Sequence, residues 1–153
     1  MIALEPLGVV VGGRSEPIDD GWADVRATIR LDVRRFGPDA VAGLDEFSHL
    51  VVVYQFHLVD PSAVQTGARR PRGNPDWPEV GMFAQRAKMR PNRLAVSTCV
   101  LERVEGLDLH VRGLDAVDRS PVLDVKPFIR EFEPPADAVR QPSWATELMR
   151  GYY

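Results

Sequence analysis

Proline and glycine punctuate this chain so densely that no long helix fits between them. Thirteen prolines and twelve glycines fall among 153 residues. Proline removes a backbone donor and fixes φ, while glycine weakens or ends regular elements. The apolar runs between these breaks are short, and helical periodicity is brief wherever it occurs. The expected fold class is therefore mainly β: a small closed or nearly closed β-barrel with a few short helices. A Rossmann sheet does not fit, because strands alternating with long helices are absent. The Gly12-Gly13 pair after Val9-Val10-Val11 lacks the third glycine of a phosphate loop. Pro17 and Gly21 also break the helix such a loop requires.

The pattern predicts strands at Leu7 to Val11, Val25 to Leu31, Leu50 to Phe56, Leu94 to Val104, Leu107 to Val111 and Val122 to Val125. Val25 to Leu31 alternates apolar and polar residues, as a half-buried strand does. Leu50 to Phe56 is nearly continuously apolar and suits a central strand. A helical turn or two is expected from Pro38 to Leu44. Ser143 is expected to cap a last helix reaching Met149. Leu58 to Val80 contains Pro61, Pro71, Pro75 and Pro78 and cannot be regular throughout. A segment of that length without its own structure is often functional. The expected domain organisation is one barrel domain over residues 1–130, with residues 131–153 as an extension whose short helix packs on it.

No apolar run approaches the roughly 20 residues that span a bilayer. The N-terminal residues do not pattern as a secretory signal, so a cytoplasmic location is expected. Cys99 is the single cysteine, which leaves no internal disulfide and no cysteine-rich zinc site. His49 and His57 flank the apolar strand about 26 Å apart if it is straight, too far to share a metal. No metal is expected. Net charge is −3, yet Arg69, Arg70, Arg72, Arg86, Lys88, Arg90 and Arg93 cluster with only Asp76 and Glu79 among them. Such a stretch can meet phosphates or a carboxylate. It reads equally as a solvated loop with structural arginines.

Two further segments carry chemistry. Gly81 to Arg93 places Arg86, Arg90 and Asn92 beside Phe83, with Pro91 stiffening the backbone. From residue types alone this is a basic turn at least as readily as a binding loop. Asp124 stands within Val122-Leu-Asp-Val125, an acid in an apolar run, so it is either paired or functional. Lys126 lies two residues on, on the same face, where the two can pair.

These segments, taken in order, resemble the TrmO/YaeB-type (TsaA-like) methyltransferase family. The resemblance is carried by Gly43-Leu-Asp-Glu-Phe-Ser-His-Leu50, Phe56-His57, Phe83-Ala-Gln-Arg86, Arg90-Pro-Asn92, Leu114-Asp115 and Pro121-Val-Leu-Asp-Val-Lys-Pro-Phe128. It covers about residues 5 to 130. It implies a small β-barrel, a homodimer, and S-adenosylmethionine as cofactor near the subunit boundary. The cofactor residues it implies are His57, Leu58, Arg86, the backbone near Val96, and Arg112-Gly113-Leu114-Asp115. Arg90, Asn92 and Lys126 are expected at the substrate. Asp124, then His49, then His57, are the candidates for a base. The best-known members methylate threonylcarbamoyladenosine beside the tRNA anticodon, and that is the expected reaction here. A small-metabolite methyltransferase and a non-catalytic S-adenosylmethionine-binding protein are the alternatives.

Three departures bear on these expectations. The family's early Pro-Arg-Gln motif is replaced by Glu16-Pro-Ile-Asp-Asp-Gly-Trp22. Its Asp-Gly-Thr-Pro is Asp118-Arg-Ser-Pro121, and the glycine after Arg-Pro-Asn is Ala95. The longer tRNA-acting members also carry a further C-terminal domain, whereas this sequence runs to Tyr153. These departures leave cofactor binding better supported than the tRNA substrate.

Overall fold

The computed structural model describes residues 1–153. Eight strands form: β1 (Gly8–Val11), β2 (Arg26–Leu31), β3 (His49–Gln55), β4 (Ala68–Arg69), β5 (Val80–Gly81), β6 (Leu94–Glu105), β7 (Asp108–Arg112) and β8 (Pro121–Pro127). Six of them close an antiparallel barrel in the order β1-β2-β7-β6-β3-β8. The expected mainly-β barrel is therefore the fold observed. Its strands match the predicted runs to within a few residues, because alternating burial leaves a period that the residues themselves display.

Closure depends on the short β1. Gly8 pairs with Leu31 on one side and Val122 on the other. A Cβ at Gly8 would stand 2.1 Å from the Arg30 carbonyl oxygen, so only glycine lets β1 and β2 approach this closely. Two irregularities bend the ladder. One lies between Val53 and Tyr54 opposite β8, and the other leaves Glu102 of β6 without a partner on β7. Bulges of this kind supply the curvature that closes a barrel.

The interior is filled by side chains, as expected for a barrel this small. Val10, Ile29, Leu50, Val52, Leu109, Val111 and Val122 are fully buried. Cys99 joins this core, and burial pushes its thiol up to about 12, so it is an inert apolar filler here. The apolar run in β3 is not buried on both faces. Leu50, Val52 and Tyr54 point inward, while Val51 and Val53 lie half-buried on the outer surface.

The helical turn or two expected from Pro38 to Leu44 forms as two 3-10 turns, Pro38–Val41 and Leu44–Glu46, separated by Gly43 at φ 80°. One expectation needs correction. Ser143 does not cap the last helix, α1 (Ser143–Leu148): Pro142 holds the cap position and Ser143 is the first helical residue. The segment Leu58 to Val80 contributes a miniature hairpin, with β4 pairing β5 through Ala68↔Gly81 and Arg69↔Val80. No helix is long and apolar enough to cross a membrane.

Candidate functional site at one end of the barrel

Strand directions gather distant segments at one end. β3 runs parallel to β1 and β7, since each is separated from it by antiparallel neighbours. The C-terminal ends of β1, β3 and β7 and the starts of β2, β6 and β8 therefore share one rim. His57 and Leu58 follow β3 there, Arg112 to Asp115 leave β7 there, and Arg86 precedes β6 there.

Asp115 lies at this rim, three residues past the end of β7. The Tyr54 hydroxyl, at the end of β3, donates to the Asp115 main-chain oxygen and to Oδ1, each at 2.9 Å. The Tyr152 hydroxyl donates to Oδ2. Burial, and after it the Asp115 charge, drives both tyrosine hydroxyls upward, so both remain protonated donors. Asp115 itself takes part in none of the chain's ion pairs. The turn that presents it requires Gly113, at φ 82° with its N–H on the Val25 oxygen at 2.9 Å.

Arg86 and Val96 meet directly: an Arg86 Nη donates to the Val96 carbonyl at 2.6 Å. Val96 lies half-exposed on the outer face of β6, opposite Val53 of β3, which is opposite Asp124 of β8. Asp124, Val53 and Val96 thus form one row, whose ends are about 10 Å apart at the usual strand spacing. Asp124 bonds Lys126 at 2.6 Å, so the expected pairing exists, and it faces outward rather than into the core. His49 stands about 13 Å farther along β3, at the opposite end of the barrel. There it bonds Ser48 and lies against Phe128.

His57 forms a tight turn with Leu58, pinned by Phe56 N–H on the Arg93 oxygen and Arg93 Nη on the Val59 oxygen. The His57 Nδ1 is buried and has no hydrogen-bond partner. Leu58 is more than half exposed. Arg112 is drawn aside, pairing Glu102 at 3.3 Å and Asp24 at 3.8 Å. Leu114 is buried in the core. Of the Arg112-Gly113-Leu114-Asp115 stretch, only Asp115 presents a side chain with capacity to spare.

Arg90 and Asn92 act locally in this structure. Arg90 donates to the Gln85 oxygen at 2.8 Å. Asn92 adopts φ 63°, a left-handed conformation that asparagine tolerates better than most residues, and so turns the chain into β6. Most of the basic stretch likewise spends donors within the protein. Arg70, Lys88 and Arg93 each reach main-chain oxygens, and Arg69 reaches the Met89 sulfur at 3.6 Å. An irregular loop without a ladder satisfies its carbonyls this way. Among these seven cations only Arg72 finds acids, Asp20 at 2.9 Å and Asp19 at 4.0 Å. Elsewhere Arg26, Arg30, Arg34, Arg35, Arg103 and Arg112 pair with carboxylates, while Arg14, Arg119, Arg130, Arg140 and Arg150 do not. The positive charge beside the rim is thus held in place but not neutralised.

The departures noted in the sequence have structural roles. Trp22 is buried beneath Arg14, whose guanidinium lies 4.6 Å from the ring centroid and donates to the Asp20 and Gly21 oxygens. Asp118 accepts the Gly12 N–H at 2.8 Å. Ala95 faces Tyr54 across the ladder. Tyr152 and Tyr153 were not among the expected site residues. They lie outside every motif, and no periodic signal points to them.

The family model for the tRNA-methyltransferase O N-terminal domain matches residues 14–134. The tRNA (adenine(37)-N6)-methyltransferase of Escherichia coli K12 is 37% identical over 106 residues, which is 65% of this chain and 44% of that protein. The human protein of the same name is 33% identical over 74% of this chain, but the match takes in only 26% of its own length. A probable S-adenosyl-L-methionine-binding protein of Methanothermobacter thermautotrophicus is 42% identical over 62% of this chain and 65% of its own. The chain therefore spans about a quarter to two thirds of the length of these relatives. A crystal structure of TrmO superposes with a TM-score of 0.74 at 30% identity, covering 92% of this chain and 63% of that one. Family match and barrel agree, and the chain belongs to the tRNA-methyltransferase O N-terminal domain family.

Proposed function

We propose that this chain binds S-adenosylmethionine at the rim marked by Arg86, Val96 and Asp115 and transfers its methyl group to an adenine in tRNA, threonylcarbamoyladenosine being the expected acceptor. One observation carries the reading: Arg86, bonded to the Val96 carbonyl and without an acid, and Asp115, held by two tyrosine hydroxyls and without a cation, lie at the same end of the barrel, and both act electrically on Tyr152. That donor set fits a ligand bearing both charges. The buried, unpartnered His57 Nδ1 at the same end fits a polar ligand as well.

When bound, S-adenosylmethionine supplies a methyl on a positively charged sulfur: the C–S bond breaks as a C–N bond forms, and sulfur keeps the electron pair. Arg86 holds the ligand's carboxylate, and Asp115 faces its positive charge. Both fix the alignment that an in-line displacement needs. The accepting amine loses a proton after the new bond forms. Asp124, in the row with Val96, is the carboxylate placed to take it, and Lys126 holds that carboxylate in position. The acid-free cations from Arg69 to Arg93 line the approach for RNA phosphates.

The outer face supports a homodimer. Val53 faces Val96 across β3 and β6, with Val51 and Val100 farther along the same face and Thr98 between, beside Asp124 and Lys126; a second copy covering this largely apolar face would stand next to the rim. Light scattering should return twice the mass of the 17.1 kDa chain; the monomer mass would remove this part of the reading.

Labelled S-adenosylmethionine, offered with bulk tRNA from a strain lacking the gene and separately with a metabolite extract, tests the activity. Label in a tRNA adenine is expected. The logarithm of tRNA affinity should fall against the logarithm of salt with a slope of about −2 to −4, as several phosphate contacts require. Label only in a small molecule would support the metabolite enzyme. Binding without transfer to either would support a non-catalytic role.

A further inference from the structure

Residues 151–153 belong to none of the sequence motifs, yet the fold seats them on Asp115. Gly21 N–H donates to the Gly151 oxygen and Trp22 N–H to the Tyr152 oxygen, both at 2.8 Å. Upstream, Trp77 Nε1 donates to Glu147 Oε2 at 2.9 Å, which ties α1 to the loop that follows β4. The stretch from Glu147 to Tyr152 is thus tied to two loops, one of which joins β1 to β2 at the rim.

We infer that Tyr152 positions the Asp115 carboxylate for the cationic sulfur of the cofactor, with Tyr153 walling the same pocket. The inference rests on the methyl-transfer reading above. A carboxylate oxygen accepts more than one hydrogen bond, so Asp115, gripped by Tyr54 at Oδ1 and Tyr152 at Oδ2, keeps acceptor capacity on both atoms. Two neutral hydroxyls orient it without cancelling its charge. A half-buried carboxylate that lacks a cation is a costly arrangement, and a cationic ligand relieves the cost. Tyr153 packs edge-on against Tyr152, with centroids 4.9 Å apart, and its hydroxyl stands 3.5 Å from Ser97 Oγ. Asp115 and Arg86 both act electrically on the two tyrosine hydroxyls, so the tyrosines lie near both charges of the rim.

S-adenosylmethionine and S-adenosylhomocysteine share the adenine, ammonium and carboxylate and differ by one methyl and by the charge on sulfur, so a change in the ratio of their affinities reads contacts at the sulfur. In Tyr152→Phe the ring stays and only the hydroxyl goes. Calorimetry should show S-adenosylmethionine weakened roughly fivefold, the size of one lost hydrogen bond, with S-adenosylhomocysteine changed less than about twofold. Asp115→Asn should shift the ratio further in the same direction, by roughly tenfold or more. Equal losses for both compounds in Tyr152→Phe, or no loss for either, would overturn the inference while leaving cofactor binding intact. A wild-type protein that binds neither compound would overturn the methyl-transfer reading, and this inference with it.

Discussion

Arg86→Ala should weaken S-adenosylmethionine binding roughly tenfold to a hundredfold. A hydrogen bond to a charged partner contributes about 1.5–3 kcal/mol, and each 1.4 kcal/mol is about tenfold in affinity. Arg86 spends one Nη on the Val96 carbonyl and has no acidic partner, so the rest of its planar fork is available to a carboxylate. Arg86→Lys keeps the charge but loses the fork, and should fall between alanine and wild type. The Val96 oxygen also loses a partner in Arg86→Ala, so a thermal melt belongs beside the calorimetry. The structural cost should stay near 1 kcal/mol, because that carbonyl is close to solvent. An unchanged dissociation constant would remove Arg86 from the pocket.

The second large effect is on the fold. Leu50→Ala should destabilise the protein by about 2–5 kcal/mol, which is the range for deleting a fully buried leucine side chain. Leu50 is 0% exposed, and its strand pairs with Cys99 on β6 and Pro127 on β8. A domain of this size is stable by only about 5–15 kcal/mol, so the loss is a large part of the total. At about 2–4 °C per kcal/mol the melting temperature should drop by roughly 4–20 °C. Val51→Ala, one residue along on the outer face, should cost about 1 kcal/mol or less in the isolated chain. Equal losses at Leu50 and Val51 would contradict the assignment of Leu50 to the interior, or mean that a second copy covers Val51.

How legible each part was follows from the range of the interaction that makes it. Strands such as Arg26–Leu31 and Leu94–Glu105 announce themselves because every second residue is buried, and that period is written locally. The β4–β5 hairpin did not, since two-residue strands have no period to read. The helix at Ser143–Leu148 was legible, but its cap was not: serine is a strong cap by type, and Pro142 took the position instead. The basic cluster was visible as composition. That its guanidiniums bind main-chain oxygens and meet almost no acids depends on a loop path that no local pattern encodes.

The site divides in the same way. Arg86, Asp115 and Asp124 stood out as charged residues within ordered motifs, and Asp124 with Lys126 was readable as a pair from a spacing of two along a strand. Tyr54 read only as part of an apolar strand, and Tyr152 and Tyr153 carried no signal at all. Residues 54, 115 and 152 are joined by hydrogen bonds that span 61 and 37 positions of chain. By itself, then, the sequence determined a barrel, through local alternation and the breaks made by proline and glycine, and a set of charged residues worth watching. Barrel closure decided which of them share a rim, and the docking of residues 151 and 152 on Gly21 and Trp22 decided that Asp115 has two hydroxyls and no cation around it. Side-chain period is a property of neighbours along the chain, whereas a site is a property of neighbours in space.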